Sequence, residues 1–331
     1  MGKDYVFASS MIRGLEGRLL TADQLRSLAE SKNPSDIYKV LSDAGYGSES
    51  STISAENYEE MLKAEELKVL DELQELTESD PIFKIFEYQA DYHNIKVLLK
   101  AEALGVDRSD ILMHTGSIDT DELKEYVAER NKQELTENMG TAIDLSIDTH
   151  ARTKDPQYID FICDRYCFKD INEAVAKSGN EFAEGYVRLL IDTINLKTVA
   201  RLKKLGQPKR ALEQVFIPDG NIDELVFSAA FDEDWKQASA NFEPYAVYPA
   251  LEEGIPSIEK SGSFTVLEKK CDDILMDYAR DAKFEPFGIE PLLAYMISKQ
   301  SEIKCIRILM TGKIAEMDSQ IIRERMRETY E

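Results

Sequence analysis

The sequence predicts an all-α protein made of three similar helical domains, and three observations carry that prediction. Long amphipathic runs end at glycine or proline, alternating β-branched segments bounded by hairpin turns are missing, and one short polar motif returns three times in the chain.

The runs come first. Residues 57–76 place Met61, Leu62, Leu67, Leu70, Leu73 and Leu76 at helical spacing, and Pro81 stops the run. Further helices are expected over 83–104, ending at Gly105, over 182–205, ending at Gly206 with Pro208 behind it, and over 291–310, ending at Gly312. Glycine suits such an end because it accepts the left-handed conformation that closes a helix.

Repetition sets the domain organisation. Asp91-Tyr92-His93-Asn94-Ile95-Lys96 is echoed by Asp192-Thr193-Ile194-Asn195-Leu196-Lys197 and more weakly by Lys299-Gln300-Ser301-Glu302-Ile303-Lys304. A second marker precedes each copy: Ala22-Asp23-Gln24-Leu25, Thr120-Asp121-Glu122-Leu123 and Ile222-Asp223-Glu224-Leu225. Acids in a first helical turn complement the helix dipole. Three units follow, over residues 1–112, 113–215 and 216–331, with breaker-rich junctions at 105–120 and 206–220.

On a helix, Asp91 and Asn94 fall inside an arc of Ala90, Ile95, Val97 and Leu98, while Lys96 and Lys100 lie opposite. Asp192 and Asn195 sit likewise among Ile191, Leu196, Val199 and Leu202, with Lys197 and Arg201 opposite. In the third copy Lys299 and Glu302 replace the aspartate and asparagine, and Lys304 keeps its place. A polar group in an apolar arc costs about 1–3 kcal/mol if unpartnered. These residues therefore read as buried anchors that tie each helix to its unit. Catalytic carboxylates are the alternative, but they need partners converging on one pocket, which three separated copies do not offer. The cationic face is either solvated or a dock for an acidic partner.

Composition narrows the function. Sixty-three acids against 40 bases give a net charge of −23, which excludes general affinity for nucleic acid and repels an anionic membrane. That field either favours a basic protein partner or only keeps the chain soluble. No apolar run approaches the roughly 18–20 residues of a membrane span, and residues 1–10 lack the pattern of a signal peptide. Cys163, Cys167, Cys271 and Cys305 read as small buried thiols, since no CxxC pair or Cys/His cluster supports a metal site. His93, His114 and His150 are scattered, and phosphate loops, dinucleotide fingerprints and hydrolase elbows are missing, so no catalytic residue, metal or cofactor is expected. Trp235 with Phe231, Phe242, Tyr245 and Tyr248 is expected to form a local core rather than a ligand box.

From end to end the chain resembles the C-subunit family of V-type ATPases, whose eukaryotic members are the d subunits. The resemblance rests on Tyr5, Ala8, Arg13, Glu16 and Leu19-Leu20, on Leu41-Ser42-Asp43-Ala44-Gly45-Tyr46-Gly47, and on the Asp91 motif with Leu98-Leu99-Lys100. Glu302-Ile303-Lys304 with Arg307-Ile308, and the run 322–327, complete it. The resemblance implies a pseudo-threefold funnel of three helical domains that does no chemistry itself. Its wide face would sit on the cytoplasmic side of a membrane rotor ring, held by protein contacts. Its socket would receive the tip of the central shaft, coupling ATP hydrolysis or synthesis to proton or sodium transport. Arg13, Arg323, Arg325 and Arg327 are candidate partner contacts as basic residues in acidic surroundings, and solubilising surface charge explains them equally. The competing expectation is a generic α-helical scaffold that binds other proteins, elongated rather than closed.

Overall fold

The computed structural model describes residues 5–31, 34–47, 54 and 57–331. Sixteen α-helices follow one another among these residues, with no strand. They are α1 (Val6–Glu16), α2 (Ala22–Glu30), α3 (Pro34–Asp43), α4 (Tyr58–Leu76), α5 (Lys84–Leu104), α6 (Thr120–Glu129), α7 (Glu137–Thr153) and α8 (Gln157–Ser178). Then come α9 (Glu181–Lys204), α10 (Arg210–Val215), α11 (Glu224–Asp232), α12 (Trp235–Ala240), α13 (Tyr248–Ser261), α14 (Thr265–Arg280), α15 (Glu290–Ile314) and α16 (Ser319–Arg325). Of the opening stretch read for a signal peptide, residues 1–4 lie outside the described residues.

Local chemistry fixes the helix ends. Thr21, Asp119, Thr136, Asn180, Asp223, Asp234 and Asp318 each accept a backbone N–H of the first turn that follows. At Thr21 the exchange is reciprocal, since the Gln24 side chain accepts from the Thr21 N–H at 2.8 Å. Gly105 closes α5 at φ 66°. Gly312 corrects the expected end of α15. The helix runs on to Ile314, and a Cβ on Gly312 would stand 2.7 Å from Cγ1 of Ile322, so this glycine admits α16 rather than stopping a helix.

The chain divides into two compact units, Asp80–Tyr245 and Met1–Ser79 with Ala246–Glu331. In the continuous unit α8 packs against α7, α5 and α9. A buried carboxylate pins three of these elements. Asp170 of α8 accepts from the Tyr92 hydroxyl (2.7 Å), the Thr136 hydroxyl (2.6 Å) and the Asn138 amide (2.7 Å). The aromatic group expected around Trp235 separates into two. Phe242 meets Phe227 edge-on, 5.3 Å between centroids, and Phe227 packs tilted against Phe216, whereas Trp235 lies under the Lys203 ammonium. In the discontinuous unit α15 is the central helix, packed on α1, α2, α4, α14 and α16, and its core joins Leu25, Leu28, Leu41 and Leu62 to Ile303, Ile306 and Leu309.

Candidate functional site: three repeated helix joints

The repeated motifs build three joints, each between a long helix and a shorter one that runs beside it. In the first, Asp91 of α5 is fully buried and accepts from the Ser117 N–H (3.0 Å), the Ser117 hydroxyl (2.6 Å) and the Ile118 N–H (3.3 Å). These amides lead into Asp119, the cap of α6. Asn94, one turn on, donates to the Met113 carbonyl and accepts from the Met113 N–H, both at 2.8 Å. A side-chain amide thus pairs with both faces of one peptide residue, satisfying its N–H and its carbonyl together.

The second joint repeats the first. Asp192 of α9 accepts from the Asn221 N–H (3.2 Å), the Asn221 amide (2.8 Å) and the Ile222 N–H (3.1 Å), just before Asp223 caps α11. Asn195 donates to the Ile217 carbonyl at 2.7 Å and accepts from the Ile217 N–H at 3.0 Å. Both linkers carry glycine where the carboxylate arrives. A Cβ on Gly116 or Gly220 would stand 2.2 or 2.4 Å from the aspartate oxygen, so any other residue would push the anchor away.

The third joint uses different residues. Glu302 of α15 accepts from the Leu20 N–H, the amide before the Thr21 cap of α2, and from the Tyr46 hydroxyl at 2.5 Å. One turn later the Cys305 sulfur accepts from the Arg327 N–H at 3.3 Å and donates to the Arg327 carbonyl at 3.7 Å. Glu302 and Cys305 therefore stand where Asp192 and Asn195 stand, one turn later than the alignment on Lys299 places them. Lys299 is a further element of this joint. It is 2% exposed, its ammonium lies 2.8 Å from Glu302 and 3.4 Å from Glu65, and it stacks 4.8 Å above the Tyr46 ring. Burial and the neighbouring carboxylates hold the Tyr46 hydroxyl well above its ordinary range, so it stays a donor.

The far end of each short helix is fastened as well. Lys203 donates to the carbonyls of Ala230 (2.7 Å), Phe231 (3.0 Å) and Glu233 (2.6 Å) at the end of α11. Lys313 donates to those of Ala29 (2.5 Å) and Ser31 (2.7 Å) at the end of α2. In the first joint the polarity is reversed: Arg130, which closes α6, pairs with Glu102 of α5 at 2.6 Å. An anion at the start and a cation at the end both match the helix dipole, each contributing about 0.3–1 kcal/mol.

The remaining sequence-predicted residues fall as follows. Lys96 pairs with Asp164 at 2.7 Å, Lys100 with Asp160 at 2.6 Å, and Lys304 with Asp272, so in these copies the cationic face meets an acidic helix of the same chain. Lys197 is half-buried. Arg13 donates to the carbonyls of Ala282 and Glu285, both at 3.0 Å, and pairs with Glu16 at 2.8 Å. The Arg327 guanidinium is buried against Asp272 at 2.7 Å. Arg323 pairs with Glu30, and Arg325 is exposed. All four cysteines are free and buried, and burial pushes the Cys163 thiol up to about 12 and that of Cys305 up to about 11. Among the described residues no cluster of His, Cys, Asp or Glu is arranged to hold a metal ion. Sequence reasoning missed Glu65, Cys305 and Arg327 as parts of the third joint.

Asp91 predicts a pH effect. Burial pushes its carboxyl up to about 6, against the lowering effect of its three hydrogen bonds, and nearby Glu87 adds to the rise. The folded state thus holds this proton more tightly than the unfolded state does. The stabilisation is fully present below the unfolded value near 4 and is lost as pH rises through 6, on the order of 3 kcal/mol. Comparing the wild type with Asp91→Asn by urea unfolding between pH 4 and pH 8, the wild type should gain on the variant as pH falls. A difference that stays flat across this window would contradict the assignment.

Known proteins resemble this chain over nearly its whole length. The family model described as ATP synthase (C/AC39) subunit matches residues 8–325. The chain is 25% identical to the C subunit of the V-type sodium ATPase of Enterococcus hirae over 99% of both chains. It is 24% identical to the C subunit of the A-type ATP synthase of Pyrococcus furiosus, covering 92% of this chain and 85% of the relative. It is 22% identical to the corresponding protein of Methanocaldococcus jannaschii, over 96% and 85%. With nearly its whole length matched, the chain belongs to the ATP synthase (C/AC39) subunit family, whose members are accessory rather than catalytic parts of rotary ATPases.

Proposed function

We propose that this protein is the rotor-coupling subunit of its ATPase, joining the central shaft to the membrane rotor ring. In this reading the repeat units 1–112, 113–215 and 216–331 enclose a pseudo-threefold funnel. The socket grips the tip of the shaft, and the wide face sits on the cytoplasmic side of the ring, held there by protein contacts. Rotation driven by ATP hydrolysis, or driving its synthesis, passes through the funnel to proton or sodium transport.

The observation that supports this most is the threefold recurrence of one joint, in which an acid and its neighbour one turn on hold the approach to a capped helix. Torque transmission requires stiffness. Anchors that are buried and satisfied supply it, because a close-packed interior whose polar groups are paired resists deformation. Among the described residues no helix is long and apolar enough to cross a membrane, which fits attachment through protein contacts. The test is an enzyme reconstituted without this chain. Its catalytic heads should still hydrolyse ATP while ATP-driven ion transport falls to background. Transport that stays coupled would sink the proposal.

A further inference from the structure

An open groove of about 420 Å³ runs between α8 and α9 in the Asp80–Tyr245 unit. The short helix α10 packs on both and lends Ala211 and Val215 to its lining. Much of the apolar lining stays accessible. Tyr158 and Phe161 of α8 meet edge-on at 6.1 Å and are half-buried, as are Ile194 and Leu202 of α9, and Leu205, which closes α9, is 71% exposed. Aromatic and aliphatic groups left accessible around one concavity mark a binding surface more often than a solvated face. The two walls differ in charge. Asp155, Asp160 and Asp164 line the α8 side, and the exposed Arg201 lines the α9 side. Lys100 and Lys96 hold Asp160 and Asp164 from α5, yet the Asp164 side chain is 46% exposed against 22% for its lysine. Asp155 accepts from the Gln157 N–H at 2.9 Å and pairs with no cation among the described residues.

We propose that this groove docks an amphipathic helix of a partner protein. Its leucine-bearing stripe lies in the groove, lysine or arginine runs along the edge that meets α8, and glutamate or aspartate runs along the edge that meets Arg201. The apolar lining selects the stripe, and charge complementarity selects the two edges. A helix fits because it satisfies its own backbone hydrogen bonds, whereas an extended segment needs a strand edge, and the described residues form no strand. The site stands on this groove alone and does not depend on the rotary reading.

The probe is a synthetic helical peptide of about 18 residues, with leucine at every third or fourth position, lysine on one flank and glutamate on the other. It is titrated into the isotope-labelled full-length chain and followed by NMR. Shifts should concentrate at Phe161, Leu202 and Leu205. Peptides with lysine on both flanks, or glutamate on both, should bind about tenfold more weakly. Arg201→Glu makes both walls acidic and should reverse the order in favour of the lysine peptide. Leu205→Asp, at an exposed position, should weaken all three by about tenfold. Absence of shifts at these residues at millimolar peptide, or three peptides that bind alike, would overturn the assignment. So would a dimer, or binding to phosphatidylcholine vesicles, that Leu205→Asp abolishes, since the groove would then serve a second copy of this chain or a lipid surface.

Discussion

Glu302→Ala is expected to cost about 3–5 kcal/mol, the range for breaking a buried ion pair from one side. Three groups lose their partner at once. The Leu20 N–H and the Tyr46 hydroxyl have their acceptor removed, and the buried Lys299 ammonium keeps only Glu65 at 3.4 Å. Glu302→Gln retains an acceptor for Leu20 while removing the charge, and should cost less than the alanine. The effect should also be local. Trp235, the single tryptophan, lies in the Asp80–Tyr245 unit, whereas Glu302 lies in the other. Far-UV circular dichroism should therefore show an early urea transition that tryptophan fluorescence does not follow. A loss under about 1 kcal/mol would mean that the ion cluster is solvated and the joint is held by other contacts.

Gly254→Val should be nearly as damaging, for a steric reason. Gly254 of α13 meets Leu267 of α14 so closely that a Cβ would stand 2.8 Å from the Leu267 Cα and 2.7 Å from its Cβ. Backbone cannot rotate aside as a flexible side chain can, so the two helices must separate along a contact shared by both. Overpacking of this kind costs about 1–3 kcal/mol, and the branched side chain belongs at the upper end. Gly254→Ala should produce the same change at smaller size. The check is the thermal midpoint together with protease cleavage at Gly262 between the helices. An unshifted midpoint for the valine variant would show that α13 and α14 are not held at this distance.

Much of this architecture is written locally and can be read locally. Gly105 ends α5 because the chain there needs a left-handed residue, and Asp91 and Asn94 declare themselves as anchors because they interrupt an apolar arc. The third joint is less legible. Lys299 and Glu302 imitate the spacing of Asp192 and Asn195, yet the counterpart of the asparagine is Cys305, whose sulfur does the pairing. A cysteine in an apolar stripe reads as filler, so nothing nearby signals that role. The marker before α11 is offset by two residues for a similar reason. Asp223 is a helix cap rather than a first-turn acid, and the buried residue is Phe227, whereas Leu225 is 76% exposed. Asp170 and Glu65 leave no such trace, because their partners Tyr92 and Lys299 are distant in sequence and no local period points to them.

The sequence separation across the third joint has a consequence for the order of folding. The first two joints tie residues 19 to 30 positions apart, whereas Glu302 meets Leu20 across 282. Closing the longer loop costs roughly 2 kcal/mol more, and it cannot begin until α15 has left the ribosome. During synthesis α2 must therefore wait without Ile303, Ile306 and Leu309 of α15, which complete the core around Leu25 and Leu28. Until Glu302 arrives, the approach to α2 lacks its buried anchor, and that interval is when this joint is most exposed to aggregation.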